Sequence, residues 1–265
     1  MNPLIQCPVP TVALTNKRDL LIYNMSITRK SLLTLLRERG MNFFTISDIC
    51  SICDITNNYA SQIVYQLKMD EEVEEIEKGK YIIGDYKEFP LLIAYKTVQP
   101  SYISFKTALY LYKMKKDTDD EIYIATPKRK RPLDYRKYNF KYITIKPYKF
   151  FGFVGTIIKG NNVLVAEPEK AIIDSLEELK YGPEINKFKN ILSNSIDLIS
   201  IDKLITYARR FHDKSLIARL GYILESVGIE IRINKKYLPK DYIKLDPCGE
   251  RRGKWISKWN IIDNL

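Results

Sequence analysis

Between Thr45 and Gly84 the chain reads TISDICSICDITNNYASQIVYQLKMDEEVEEIEKGKYIIG. This stretch constrains the fold more than any other. Thr45 precedes Asp48 by three residues, the spacing of a helix-starting capping box. Ile46, Ile49, Cys50 and Cys53 then fall at i, i+3, i+4 and i+7, which predicts one buried helical stripe. Asp54 to Asn57 forms a turn. Ala60, Ile63, Val64 and Leu67 repeat the spacing, so a second helix runs to about Met69. EVEEIE and KYIIG alternate as strands do, with Lys78-Gly79 as the turn between them. An earlier helix is expected from Ser26 or Thr28 to Arg39, with Gly40 as its stop. Helix, turn, helix and hairpin in this order predict a winged helix-turn-helix domain over residues 26–86.

Residues 1–25 read as an arm, because Pro3, Pro8 and Pro10 oppose regular structure. Residues 87–265 read as a mixed α/β domain, which makes the whole chain α+β. Helices are expected over Pro90–Val98, in SFKTALYLYKM with Ser104 as cap, and in PEKAIIDSLEELK with Pro168 at its first position. Three more are expected near Pro183–Leu192, Asp202–Phe211 and Lys214–Ser226. EIYIAT, FKYITI, FVGTII and NVLVAE read as strands, the last two joined by a turn at Gly160-Asn161. KWISKWNIID reads as one terminal strand. No internal repeat or low-complexity linker separates these segments.

Net charge is +11 over 265 residues, which favours a polyanionic partner. Its distribution is uneven: +1 over 1–25, −3 over 26–86, +10 over 87–160 and +3 over 161–265. The segment that reads as a DNA reader is therefore acidic. No apolar run approaches the roughly 20 residues needed to cross a bilayer. The N-terminus lacks a basic start and a clean apolar core, so no signal peptide and a cytoplasmic location are expected. Cys7, Cys50, Cys53 and Cys248 are too few and too scattered for a disulfide scaffold.

With its apolar stripe inward, the second helix of the pair turns Asn58, Gln62 and Tyr65 outward, flanked by Ser61 and Gln66. Asn and Gln can bond the major-groove edge of adenine with two hydrogen bonds, and Tyr can reach a phosphate or a thymine methyl. Any small helical domain also carries polar residues on its outer face. Lys78 and Lys80 at the hairpin tip are expected to hold a neighbouring groove or backbone. Glu71, Glu72, Glu74, Glu75 and Glu77 would repel phosphates if all faced DNA. Alternation lets several point away, and the domain alone is expected to bind weakly.

The basic run TPKRKRPLDYRKY supplies Lys128, Arg129, Lys130 and Arg131 as a phosphate clamp. Arg136 and Lys137 extend it, and Tyr135 and Tyr138 are available to stack or hydrogen-bond. The bland reading of such a run is a solvated loop. Cys50-x-x-Cys53 supplies only two of the four ligands a zinc site needs, and both cysteines lie on a buried stripe. No metal or cofactor is expected. Glu167, Glu169 and Lys170 follow a strand loosely as in a metal-dependent nuclease. Their spacing is wrong for that class, and helix capping with the helix dipole explains two acids at a helix start better. No catalytic residue is assigned, and the chain is expected not to be an enzyme.

The order of segments resembles that of AbiEi-type antitoxins, the transcriptional regulators of type IV toxin–antitoxin systems. The resemblance rests on SYISFKTALYLYKM, IATPKRKRP, FKYITIKPYKFFG, VAEPEKAIIDSL, SLIARLGYILE and KWISKWNI, in that order across about 95–265. It implies a repressor that binds its own operon's promoter through the N-terminal domain, and a second domain with antitoxin activity. The implied toxin is an AbiEii-like nucleotidyltransferase encoded beside it, without a stable complex between the two. One winged domain reads a half-site, so paired binding to double-stranded DNA on an inverted repeat fits this reading. The rival readings are an interaction protein whose winged domain does not bind DNA, and a nuclease.

Overall fold

Thr28 and Thr45 start the first two helices by the same device. Ser31 N–H donates to Thr28 Oγ1 at 3.2 Å while Thr28 N–H donates to Ser31 Oγ at 2.9 Å. Asp48 N–H donates to Thr45 Oγ1 at 3.2 Å, and Thr45 N–H returns to Asp48 Oδ2 at 2.7 Å. Both are reciprocal capping boxes, which satisfy donors the helix itself leaves unpaired. The computed structural model describes residues 27–115 and 120–265. The expected arm at 1–25 lies outside the described residues, as does Cys7.

The chain is mixed α+β, with nine α-helices and three sheets among the described residues. The N-terminal segment runs α1 (Arg29–Glu38), β1 (Phe43–Thr45), α2 (Ile46–Cys53), α3 (Asn57–Met69), β2 (Val73–Glu77) and β3 (Lys80–Ile83). The three strands form an antiparallel sheet in the order β1-β3-β2. Its turn lies at Lys78-Gly79, between the paired residues Glu77 and Lys80, and Gly79 supplies the positive φ of +76°.

Leu32, Leu36, Phe44, Ile49, Ile63, Leu67, Val73 and Ile83 form the first core. A second, larger core fills the rest of the chain, and Ile76 and Ile82 of the small sheet belong to it. Strand alternation explains the division: Ile83 faces the helices, and its neighbour Ile82 faces the C-terminal segment. The sheet is buried on both faces, which joins the two cores at the hairpin.

The C-terminal segment centres on a six-stranded mixed sheet, ordered β6-β7-β5-β4-β9-β8. Its strands are β4 (Tyr102–Ile103), β5 (Glu121–Thr126), β6 (Leu133–Tyr135), β7 (Tyr138–Thr144), β8 (Phe153–Ile158) and β9 (Asn161–Ala166). α4 (Pro90–Lys96), α5 (Phe105–Leu111) and α6 (Pro168–Glu177) pack on it. α7 (Lys187–Asn194), α8 (Ile201–Arg210) and α9 (Lys214–Ser226) follow.

Three expectations shift. The β8–β9 turn is Lys159-Gly160, both at positive φ, because Ile158 pairs with Asn161. KWISKWNIID is not one strand but two, β11 (Lys254–Ile256) and β12 (Ile261–Asp263), paired antiparallel around a turn. β12 also pairs in parallel with β10 (Ile243–Lys244). Ser104 stands at the start of α5, but its hydroxyl donates to Asp174 Oδ2 at 2.7 Å rather than capping the helix.

The quoted segments converge in space. Tyr102 and Ser104 from β4 and its exit meet Lys170 and Asp174 of α6 in a fully buried polar cluster. Trp259, between β11 and β12, lies over Gly221 of α9 and donates its indole N–H to Glu225 Oε2 at 2.6 Å. No helix among the described residues is long and apolar enough to cross a membrane.

Candidate nucleic-acid interface

α3 begins because Thr56 caps it, accepting from Tyr59 N–H at 3.4 Å. Asp54 reverses the chain just before, in the left-handed conformation at φ 51°. Ala60, Ile63, Val64 and Leu67 are buried, as the spacing predicts. The other face is open: Asn58, Ser61, Gln62, Tyr65 and Gln66 are all exposed, Tyr65 at 60%. None of the five makes a side-chain hydrogen bond or ion pair among the described residues.

Cys50 and Cys53 sit at the rim of the first core, half-buried. Cys50 Sγ donates to Asn57 Oδ1 at 3.1 Å, and burial pushes the Cys53 thiol up. No group of three or more His, Cys, Asp or Glu side chains among the described residues is placed to hold a metal.

The acidic strand is neutralised from within the molecule. Glu75 accepts from Lys68 of α3 at 2.7 Å and from Gly79 N–H at 3.1 Å. One carboxylate therefore ties the last turn of α3 to the hairpin tip. Glu72 lies 3.8 Å from Arg37. Glu74 and Glu77 face the C-terminal segment. Arg136 donates to Glu74 at 3.0 Å and to Glu88 at 2.5 Å. Lys130 donates to Glu77 at 2.6 Å. Of the five hairpin glutamates, only Glu71 has no ion-pair partner among the described residues.

This arrangement divides the basic candidates. Lys130 has only 15% of its side chain exposed, held between Glu77 and the Tyr142 ring. Lys80 turns inward as well, bonding Glu77 at 2.6 Å and the carbonyl of Thr97 at 3.0 Å. A phosphate can reach the Lys130 ammonium only by displacing these partners, whereas the Lys80 side chain keeps 45% of its surface exposed. Tyr135 is buried and donates its hydroxyl to the Lys87 carbonyl at 3.2 Å, so its ring is not available for stacking. Lys78, Lys128, Arg129 and Arg131 are exposed and make no ion pair among the described residues. The Glu77–Lys130 bond brings these four together, because Lys78 follows Glu77 and the other three flank Lys130. The hairpin tip and the basic loop thus lie side by side, and Lys68 and Glu75 tie that hairpin to α3.

Sequence reading missed Glu74 and Glu77 as partners of Arg136 and Lys130. An acidic run and a basic run in one chain were the available signal. Glu167, Glu169 and Lys170 are committed elsewhere. Glu167 accepts from Lys203 at 2.8 Å and from the Tyr207 hydroxyl. Glu169 accepts from Ser200 N–H at 2.8 Å, and Lys170 pairs with Asp174. Compared with known proteins, the chain matches no family model and no curated sequence.

Proposed function

We propose that this chain is a DNA-binding transcriptional regulator that also serves as the antitoxin of a type IV toxin–antitoxin system. In this reading residues 26–86 are a winged helix-turn-helix domain that represses the chain's own operon. The observation that carries it is the open polar face of α3, with Asn58, Ser61, Gln62, Tyr65 and Gln66 all exposed. Three or four adjacent side chains on one helix are what base readout in the major groove requires. Lys78, Lys128, Arg129 and Arg131 supply the phosphate contacts that most of the affinity needs. The antitoxin role and the nucleotidyltransferase toxin rest on the resemblance of the C-terminal motifs.

The rival reading is an interaction protein whose winged domain does not touch DNA. The internal commitment of Lys80, Lys130 and Arg136 favours it, since these cations pair with hairpin glutamates, Lys80 from within the acidic segment and Lys130 and Arg136 from the basic one.

Fluorescence anisotropy of the full chain separates the two. The probes are the duplex upstream of the gene and a scrambled duplex, at several salt concentrations. A regulator prefers its own upstream DNA. Asn58→Ala with Gln62→Ala then relaxes that preference by about 1–3 kcal/mol per lost base contact. Arg129→Glu with Arg131→Glu weakens both duplexes and flattens the salt slope. Equal binding of both duplexes by the wild-type chain would move the interaction-protein reading to first place.

A further inference from the structure

A second cationic surface lies away from α3, on the C-terminal segment. Tyr148 is 42% exposed, and its ring lies 6.0 Å from that of His212 and 5.9 Å from Lys146 Nζ. His212 N–H donates to the Arg209 carbonyl at 3.2 Å, a backbone bond that closes the end of α8 and leaves the two residues within one turn of each other. The Arg209 guanidinium lies 5.5 Å from the centre of the Tyr237 ring, and Lys236 Nζ lies 4.9 Å from it. Lys146, Tyr148 and His212 therefore form one exposed cluster and Arg209, Tyr237 and Lys236 a second, and the two meet at the end of α8 as a strip drawn from three separate parts of the chain.

Two features of this strip matter for binding. Some lysines of the chain are neutralised by acids, as Lys68 is by Glu75, Lys203 by Glu167 and Lys258 by Glu225. Lys146, Arg209 and Lys236 make no ion pair among the described residues. The adjoining acid, Asp213, turns its carboxylate away to cap α9, accepting from Ser215 N–H at 2.7 Å and Leu216 N–H at 3.1 Å. The strip also presents two partly exposed aromatic rings, each flanked by cations.

Unneutralised cations call for a polyanion, and aromatic faces between them call for flat, stackable groups on it. Duplex DNA offers phosphates but keeps its bases inside the stack. A single strand offers both, since each base has a free face and stacking tolerates any sequence.

We infer that this strip binds single-stranded nucleic acid, with unpaired bases stacked on Tyr148 and Tyr237 and the backbone phosphates on Lys146, Arg209 and Lys236. The site is distinct from α3 and the hairpin tip, and does not depend on the regulator reading.

The test uses the full chain and fluorescein-labelled RNA and DNA strands of about 12 nucleotides, the span one such groove covers. Tyr148→Ala and Tyr237→Ala are each expected to weaken binding to the strands about tenfold, the effect of one lost stacking contact. Tyr148→Phe and Tyr237→Phe keep the ring and are expected to stay within about twofold of wild type on the same basis. Both tyrosines are partly exposed, so thermal melts of all four variants should overlay the wild type. Unchanged binding in the alanine variants would overturn the inference. So would an equal loss in the phenylalanine variants, or a wild-type chain that binds neither strand.

Discussion

Lys130 Nζ bonds Glu77 Oε2 at 2.6 Å, across the seam between the basic loop and the acidic strand. The contact converts two runs that look opposed in sequence into one interface. Both side chains are largely shielded, Lys130 at 15% and Glu77 at 23% exposed. Removing Lys130 leaves Glu77 partly desolvated with Lys80 as its remaining partner, an effect between that of a surface pair and that of a buried pair. Lys130→Ala is expected to destabilise the chain by about 1–3 kcal/mol in urea unfolding. Glu77→Gln in the same background should add less than it does alone, because the pair is already broken. Additive effects in that cycle would mean the two residues do not interact.

The same seam sets an acid limit. Burial works against the charge on Glu77, but hydrogen bonds from Lys130 and Lys80 outweigh it and hold its carboxyl below the usual range. The Lys68 hydrogen bond, helped by Gly79 N–H, lowers Glu75 as well. A depressed carboxyl stabilises the fold fully above its unfolded pKa of about 4.3. That contribution disappears as pH falls through the lower folded values. Stability should therefore drop as pH falls below about 5. Glu75→Gln with Glu77→Gln should make the drop shallower. An unaltered slope of unfolding free energy against pH would refute the assignment.

The stripes of α2 and α3 are legible in the sequence because helical periodicity is local. The helix expected near Lys214–Ser226 spans those residues in the structure. β4 and β6 are not legible, since two or three residues carry no period of their own. Their pairing partners define them, as Ile103 pairs with Val165 and Leu133 with Phe140. The polar face of α3 is readable for the same reason as its stripe. The occupation of Lys130 and Arg136 is not, because their partners lie 53 and 62 residues away. The Tyr148–Tyr237 strip has no local pattern at all.

Gly221 tests how the C-terminal strands dock. A Cβ at this position would lie 2.2 Å from Trp259 Cζ3, inside the contact distance of any carbon pair. Gly221→Ala gains helix propensity but must push the indole aside. Overpacking of this kind typically destabilises by about 1–3 kcal/mol. Trp259 is buried and Trp255 is 57% exposed, so a red shift in tryptophan emission reports Trp259 specifically. A variant with a raised melting point and unshifted emission would show that the indole does not occupy this position.

Lys170 and Asp174 pair within α6 with almost no exposure. Burial lowers the Lys170 pKa, and the Asp174 carboxylate opposes that shift. The carboxylate also accepts from the Tyr102 hydroxyl at 3.0 Å and from the Ser104 hydroxyl at 2.7 Å. Lys170→Met strands a carboxylate in the core and is expected to destabilise by about 3–5 kcal/mol. Two remedies for that loss differ in what they leave behind. Asp174→Leu in the Lys170→Met background removes the charge but takes the acceptor from two buried hydroxyls, each then unsatisfied at about 1–3 kcal/mol. Asp174→Asn removes the charge and keeps a carbonyl oxygen for Tyr102 and Ser104. Chemical denaturation should therefore rank Lys170→Met/Asp174→Asn as the most stable of the three. If the single Lys170→Met variant proves the most stable instead, the charge on Asp174 is not what the lysine balances.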